Sequence, residues 1–162
     1  GRSNPSMNLG SAYFHKGELE LAENNLLEAA DFFSDNHLAY YYLGQIYQKQ
    51  NKLDDAIVAY SESVEGDVVY LWTFAVYIEL GSIHANLGNL DEAIGLFKKA
   101  QAVDRVNLIS YKNLSLAYEL QGDLNLAIAE VEKGLRIHPE NEEFIKRLLD
   151  LDVKRMFSES RR

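Results

Sequence analysis

Residues 37–60 read HLAYYYLGQIYQKQNKLDDAIVAY, and the fold turns on this stretch. Ala39, Tyr40, Leu43, Ile46 and Tyr47 recur at the spacing that places side chains on one face of a helix. Gly44 leaves a gap on that face where a neighbouring helix can come close. Asn51 then breaks the helix. Asp54 and Asp55 stand in the first turn of a second helix, where carboxylates complement the helix dipole. That second helix carries Leu53, Ala56, Ile57 and Tyr60 along one face. The stretch predicts two antiparallel helices that cross tightly through small residues, with a large side chain filling the space beside the crossing.

The same pattern returns along the chain. Leu9-Gly10 is followed three residues on by Tyr13, Leu43-Gly44 by Tyr47, Leu80-Gly81 by His84 and Leu114-Ser115 by Tyr118. Gly10, Gly44, Gly81 and Ser115 are separated by steps of 34, 37 and 34 residues. Ala22, Ala56, Ala93 and Ala127 keep the same steps, each three residues after a leucine: Leu19, Leu53, Leu90 and Leu124. Gly17, Asn51, Gly88 and Gly122 fall in register where each first helix should end. One helix pair cannot bury its apolar stripe alone, but stacked pairs share a core. The repeated leucines and tyrosines therefore read as packing residues, each worth roughly 1.5–3 kcal/mol when buried.

With these markers in place the chain resembles the tetratricopeptide repeat (TPR) family. The resemblance rests on the 34-residue step, the Leu-Gly-x-x-Tyr pattern, the later alanine and the aromatic after it (Tyr60, Phe97). It implies an all-α, right-handed superhelical solenoid of antiparallel helix pairs. Four units are expected at about 3–36, 37–70, 74–107 and 108–141. A capping helix over 142–157 and a flexible tail over 158–162 follow. The departures are Leu26 and Val131 for the aromatic, Ser115 for the glycine and His84 for the tyrosine. Only the fourth unit keeps the closing proline, Pro139. Asn4-Pro5 reads as an N-cap with proline at the first helical position.

The 37-residue step places three extra residues ahead of the third unit. Gly66-Asp67 signals a turn, and the run Val68 to Ile78 is apolar with the chain's single tryptophan, Trp72. The usual register would start the helix near Thr73, whereas the apolar run suggests a start near Val68 and one extra projecting turn. Val68, Val69, Tyr70 and Trp72 are therefore candidates for self-association, with packing of Tyr70, Leu71 and Trp72 on the preceding pair as the plainer reading.

The resemblance implies a concave groove lined by the first helices. Off the core stripe, those helices offer Asn8, Tyr41, Tyr42, Gln45, Lys49, Glu79, Ser82, Asn86, Lys112 and Asn113 as partner-binding residues. Amides can bond both donor and acceptor of an extended backbone, and tyrosines offer flat area at low entropic cost. Some members of the family clamp the terminal carboxylate of chaperone tails with cations on these helices. Here Met7, Tyr41, Ala75, Glu79 and Ile109 stand where such cations would be, which speaks against that ligand.

Composition narrows the function classes. The 162 residues carry a net charge of −9, without the basic footprint of nucleic-acid binders. There is no cysteine, which removes disulfides, thiolate chemistry and sulfur-based zinc sites. That absence leans towards a reducing cytoplasm and leaves a periplasmic or other envelope compartment open. No run of 18 apolar residues exists to span a membrane. His15, His37, His84 and His138 show no metal-ligand spacing, and no phosphate loop or nucleophile elbow occurs. The chain reads as a scaffold for a protein or peptide, not an enzyme, with no cofactor or metal. The second reading is a self-assembling module such as a homodimer. The third is the soluble domain of a larger enzyme or envelope assembly protein, since the Gly1-Arg2-Ser3 start reads as a cloning scar or a cut.

Overall fold

The computed structural model describes residues 5–32, 36–66 and 69–160. Among these residues every regular element is an α-helix: α1 (Pro5–Lys16), α2 (Leu19–Phe32), α3 (His37–Lys49), α4 (Leu53–Glu62), α5 (Thr73–Asn86), α6 (Leu90–Val103), α7 (Leu108–Gln121), α8 (Leu124–Ile137) and α9 (Glu142–Glu159). The fold is an all-α helical repeat. It divides into two compact units, Gly1–Val76 and Tyr77–Arg162, with the division inside α5. Asn4, proposed as the first cap, lies outside the described residues.

The first unit packs α1 on α2 and α3 on α4, with α2 also against α3. Its core is Ala22, Leu26, Ala29, Ala39, Leu43, Ile46 and Ala59. The second unit packs α7 on α6 and α8, and α8 on α9. Its core runs from Ala93 and Phe97 through Leu114 and Val131 to Phe144 and Leu151.

The repeat markers have concrete jobs. Tyr60 lies against Gly44, where an added Cβ would sit 2.5 Å from its ring. Leu26 meets Gly10 and Phe97 meets Gly81 in the same way. The glycine is needed because the opposing side chain fills the space a Cβ would take. The fourth unit reverses the sizes, with buried Ser115 sixteen residues before the smaller, buried Val131. Each first helix ends alike. Asn51 adopts φ +58°, and the next amide, Lys52 N–H, reaches back to the Tyr47 carbonyl at 2.8 Å. Asp123 N–H bonds the Tyr118 carbonyl at 2.9 Å after Gly122 in the same way, so the carbonyls at a helix end are satisfied within the turn.

Caps set the helix starts. Asn36, Asn107, Asp123 and Asn141 each accept a backbone N–H from the first turn of α3, α7, α8 and α9. Asp54-Asp55 and Asp91-Glu92 lie in the first turns of α4 and α6. His84 is half-buried in its tyrosine's place, and its Nδ1 has no hydrogen-bond partner among the described residues.

One expectation is corrected. The helix of the third unit does not begin near Val68. It begins at Thr73, and residues 69–72 are not helical, with a turn at Leu71 and Trp72. Tyr70 N–H donates to Thr73 Oγ1 at 2.8 Å, Thr73 N–H returns a bond to the Tyr70 carbonyl, and the Trp72 indole N–H donates to the Ser63 carbonyl at 3.1 Å. These bonds satisfy the backbone in a turn and offset what an extra helical turn would gain. Val68 itself lies outside the described residues.

Candidate functional site

In the first unit the candidate groove residues lie on α1 and α3. Asn8 is exposed, while Tyr41, Tyr42 and Gln45 are half-buried. Exposed Lys49 holds its Nζ 5.9 Å from the centre of the Phe14 ring. Tyr41 and Tyr42 are two links in a longer chain of rings. His37 meets Tyr70 at 4.9 Å, and Tyr70 stacks on Trp72 at 4.7 Å with planes 3° apart. Trp72 stacks on Tyr41 at 5.7 Å, Tyr41 touches Tyr42, and Tyr42 meets both Phe14 and His15. Flat rings at such separations are worth about 0.5–1.5 kcal/mol per pair beyond burial. Phe14, His15 and His37 were not among the residues expected from the sequence, because nothing in a helical period shows that α1 will bring its rings to those of α3.

The turn before α5 is divided between two environments. Tyr70 and Trp72 face the rings of the same unit, whereas Val69 and Leu71 are exposed.

In the second unit, Ser82, Asn86 and Asn113 line one depression of about 240 Å³ between α5 and α7. Phe97, Leu116, Ala117, Leu120 and Ala85 complete it. Ser82 Oγ donates to the Ile78 carbonyl at 2.8 Å. The side-chain amides of Asn86 and Asn113 have no hydrogen-bond partner among the described residues. Leu120 and Ala85 escaped the sequence reading, although Leu120 follows Leu116 by one turn on the same helix. Glu79 is half-buried on α5.

Lys112 is engaged elsewhere, in an ion pair with Glu143 of α9. Both partners are solvent-exposed enough that the pair adds little stability. A stronger network lies beside it. Arg147 of α9 donates Nε–H to Ser115 Oγ at 2.9 Å and a terminal N–H to Glu119 at 2.9 Å. Lys154 bonds the other Glu119 oxygen. Burial works to raise the Glu119 carboxyl, but the hydrogen bonds from Lys154 and Arg147 and their charges outweigh it and hold the group below its ordinary range. The serine in the fourth unit, a departure from the repeat pattern, thus has a partner on α9. On α3, Tyr47 is displaced the other way. Burial and the nearby carboxylates of Glu23 and Asp55 push its phenol up.

Among the described residues no group of three or more His, Asp or Glu is placed to hold a metal ion, and no helix is long and apolar enough to cross a membrane.

Comparison with known proteins agrees with the repeat geometry. Family models described as tetratricopeptide repeat match residues 72–140 and 37–65. Among solved structures, a crystal structure of MamA protein is 24% identical, covers 88% of this chain and 76% of its own, and has a TM-score of 0.74. YrrB, described as a TPR protein with an unusual peptide-binding site, is 15% identical, covers 96% and 78%, and has a TM-score of 0.79. A tetratricopeptide repeat protein from Parabacteroides merdae is 19% identical, covers 91% and 57%, and has a TM-score of 0.78. At these identities the likeness is one of fold. A sequence search of curated proteins gives no significant match.

Proposed function

Because this chain belongs to the tetratricopeptide repeat family, we propose that it is a protein-interaction scaffold that takes an extended partner segment along its first helices. The observation that supports this best is the depression between α5 and α7. Buried Phe97 and Ala117 give it an apolar floor, with exposed Leu116 and Leu120 beside them. Asn86 and Asn113 bring two amides that no other side chain among the described residues uses. An extended peptide offers what such a furrow lacks: a backbone N–H and C=O for each amide, and an apolar side chain for the floor. YrrB, which has a similar fold and is described as carrying a peptide-binding site, points the same way. In the first unit Tyr41, Tyr42, Gln45 and Lys49 provide the corresponding contacts, with Asn8 at the edge.

The test is selection of peptides from a displayed random library against the whole chain, then titration calorimetry with the winners. Asn86→Ala with Asn113→Ala should weaken the selected peptides about tenfold or more, the loss of two buried-edge amide contacts. Tyr41→Ala with Tyr42→Ala tests the first unit in the same assay. Peptides that bind both double variants as tightly as the parent chain would overturn the groove reading.

A second reading is self-association through the turn before α5. It draws support from Val69 and Leu71, which remain exposed while Tyr70 and Trp72 are held by the ring stack. Light scattering across a dilution series decides it. A dimer that Leu71→Asp dissociates supports this reading, and a monomer at all concentrations defeats it.

A further inference from the structure

The second helices of the second unit hold a feature that the groove does not use. A depression of about 540 Å³ lies between α6 and α8. Four of its eight lining residues are cations, Lys98, Arg105, Lys133 and Arg136, in a chain with only 16 lysines and arginines among 162 residues and a net charge of −9. Of these four, Lys133 is paired with the buried carboxylate of Glu130. Lys98, Arg105 and Arg136 have no carboxylate partner among the described residues. Asp104, the nearest acid to Arg105 in sequence, accepts the Val106 N–H at 3.2 Å. Lys98 Nζ lies 5.8 Å from the centre of the Tyr118 ring, and positive charge without carboxylate partners in an acidic chain costs self-repulsion and attracts anions.

The depression is built rather than incidental. Tyr111 is buried and donates its hydroxyl to the Arg105 carbonyl at 2.7 Å, which fixes the backbone from which Arg105 extends. Glu130 accepts from Gln101 at 3.0 Å as well as from Lys133, which ties α6 to α8 across the floor. Ala102 and Ile137 add apolar surface.

We propose that this basic depression is a second binding site, for an acidic peptide segment of a partner protein. Several features favour carboxylates over a single phosphate. Positive charge comes from both sides, with Lys98 of α6 and Arg105 just beyond its end on one, and Lys133 and Arg136 of α8 on the other. The depression sits by the C-terminal ends of α6 and α8. Arg105 and Arg136 present separate guanidinium groups, each of which one acidic side chain can meet. The apolar patches suit the residues between them. The alternative role for these cations is to complement the negative C-terminal dipoles of α6 and α8.

The test uses the whole chain and a fluorescein-labelled twelve-residue peptide alternating Asp or Glu with Leu and Ala, read by anisotropy. Arg105→Gln with Arg136→Gln should weaken binding about tenfold or more, the loss of two charge-assisted contacts. Lys16→Gln with Lys146→Gln removes the same charge elsewhere and should change affinity less than about twofold, while Asn86→Ala with Asn113→Ala, which tests the groove, should leave this peptide bound. Thermal melts confirm that each variant is folded. Equal weakening in the two charge variants, or no binding to the parent chain, overturns the site in favour of dipole complementation or non-specific attraction. Competition by inorganic phosphate at concentrations that leave ionic strength unchanged overturns the peptide assignment in favour of a phosphate ligand. Loss of binding in the asparagine variant would place the peptide in the groove instead.

Discussion

Substitution of Gly44 by alanine tests the packing rule on which the repeat reading depends. The new Cβ would lie 2.5 Å from Tyr60 Cδ1 and 2.7 Å from Cε1. Carbon atoms in ordinary contact are about 3.5–4.0 Å apart, so something must move by about 1 Å. The Tyr60 ring has little freedom to do so. It is fully buried, and its hydroxyl donates to Gln48 Oε1 at 2.7 Å. Overpacking of this kind costs about 1–3 kcal/mol, and a lost tyrosine hydrogen bond about 0.5–1.5 kcal/mol. The better helix propensity of alanine returns about 0.5–1 kcal/mol. The net expectation is a destabilisation of about 1–3 kcal/mol, seen in urea titration followed by circular dichroism, with a fall in Tm of roughly 3–10 °C. The second half of the experiment is Tyr60→Val, which copies the fourth unit, where buried Ser115 precedes Val131 by the same sixteen residues. Alone it should cost about 2–4 kcal/mol, because a large buried ring is lost. Combined with Gly44→Ala it should cost at least about 1 kcal/mol less than the sum, since the smaller side chain makes room for the Cβ. A neutral or stabilising Gly44→Ala, or additivity within about 0.5 kcal/mol, would refute the idea that this glycine is required by its opposing ring.

Trp72→Ala should destabilise by about 2 kcal/mol in urea titration, through loss of the stacks on Tyr70 and Tyr41 and of the bond to the Ser63 carbonyl, whereas exposed Leu71→Ala should stay within about 0.5 kcal/mol. His84→Tyr should raise stability by about 1 kcal/mol, read as a Tm rise of a few degrees, because it replaces a buried ring nitrogen without a partner among the described residues by the side chain found at Tyr47 and Tyr118. Glu119→Gln should cost about 1 kcal/mol at pH 7, a figure discounted for partial solvent screening of the pair. Because the folded carboxyl titrates below its unfolded value, that contribution is present above about pH 4.3 and is lost as pH falls through the lower folded value. Melts between about pH 7 and pH 3 should therefore show the parent and Glu119→Gln curves converging only in acid, and a constant gap would refute the pairing.

The repeat was legible in the sequence because its causes are local. Helical period, the glycine-to-aromatic spacing of Gly44 and Tyr60, the left-handed Asn51 and the acidic first turns at Asp54 and Asp91 are each decided within a few turns of chain. The all-α class followed from them. The start of α5 was legible from the repeat register, which places it near Thr73, but not from the apolar run. An apolar run suits helix and turn alike, and the choice was made by the Ser63 carbonyl, nine residues from Trp72, and by the hydroxyl of Thr73. The candidate sites divide in the same way. That Ser82, Asn86 and Asn113 lie off the core stripe could be read from helical phase, but not that they share one depression with Phe97 and Leu120. Nor could the period show that Phe14 and Tyr42 would meet, that Arg147 would reach Ser115 thirty-two residues away, or that Lys98 and Arg136 would line one depression. A period states which way a side chain leaves its own helix. Which side chains then meet depends on the crossing of separate helices, and that is fixed only when large residues such as Tyr60, Phe97 and Phe144 have settled against their glycines.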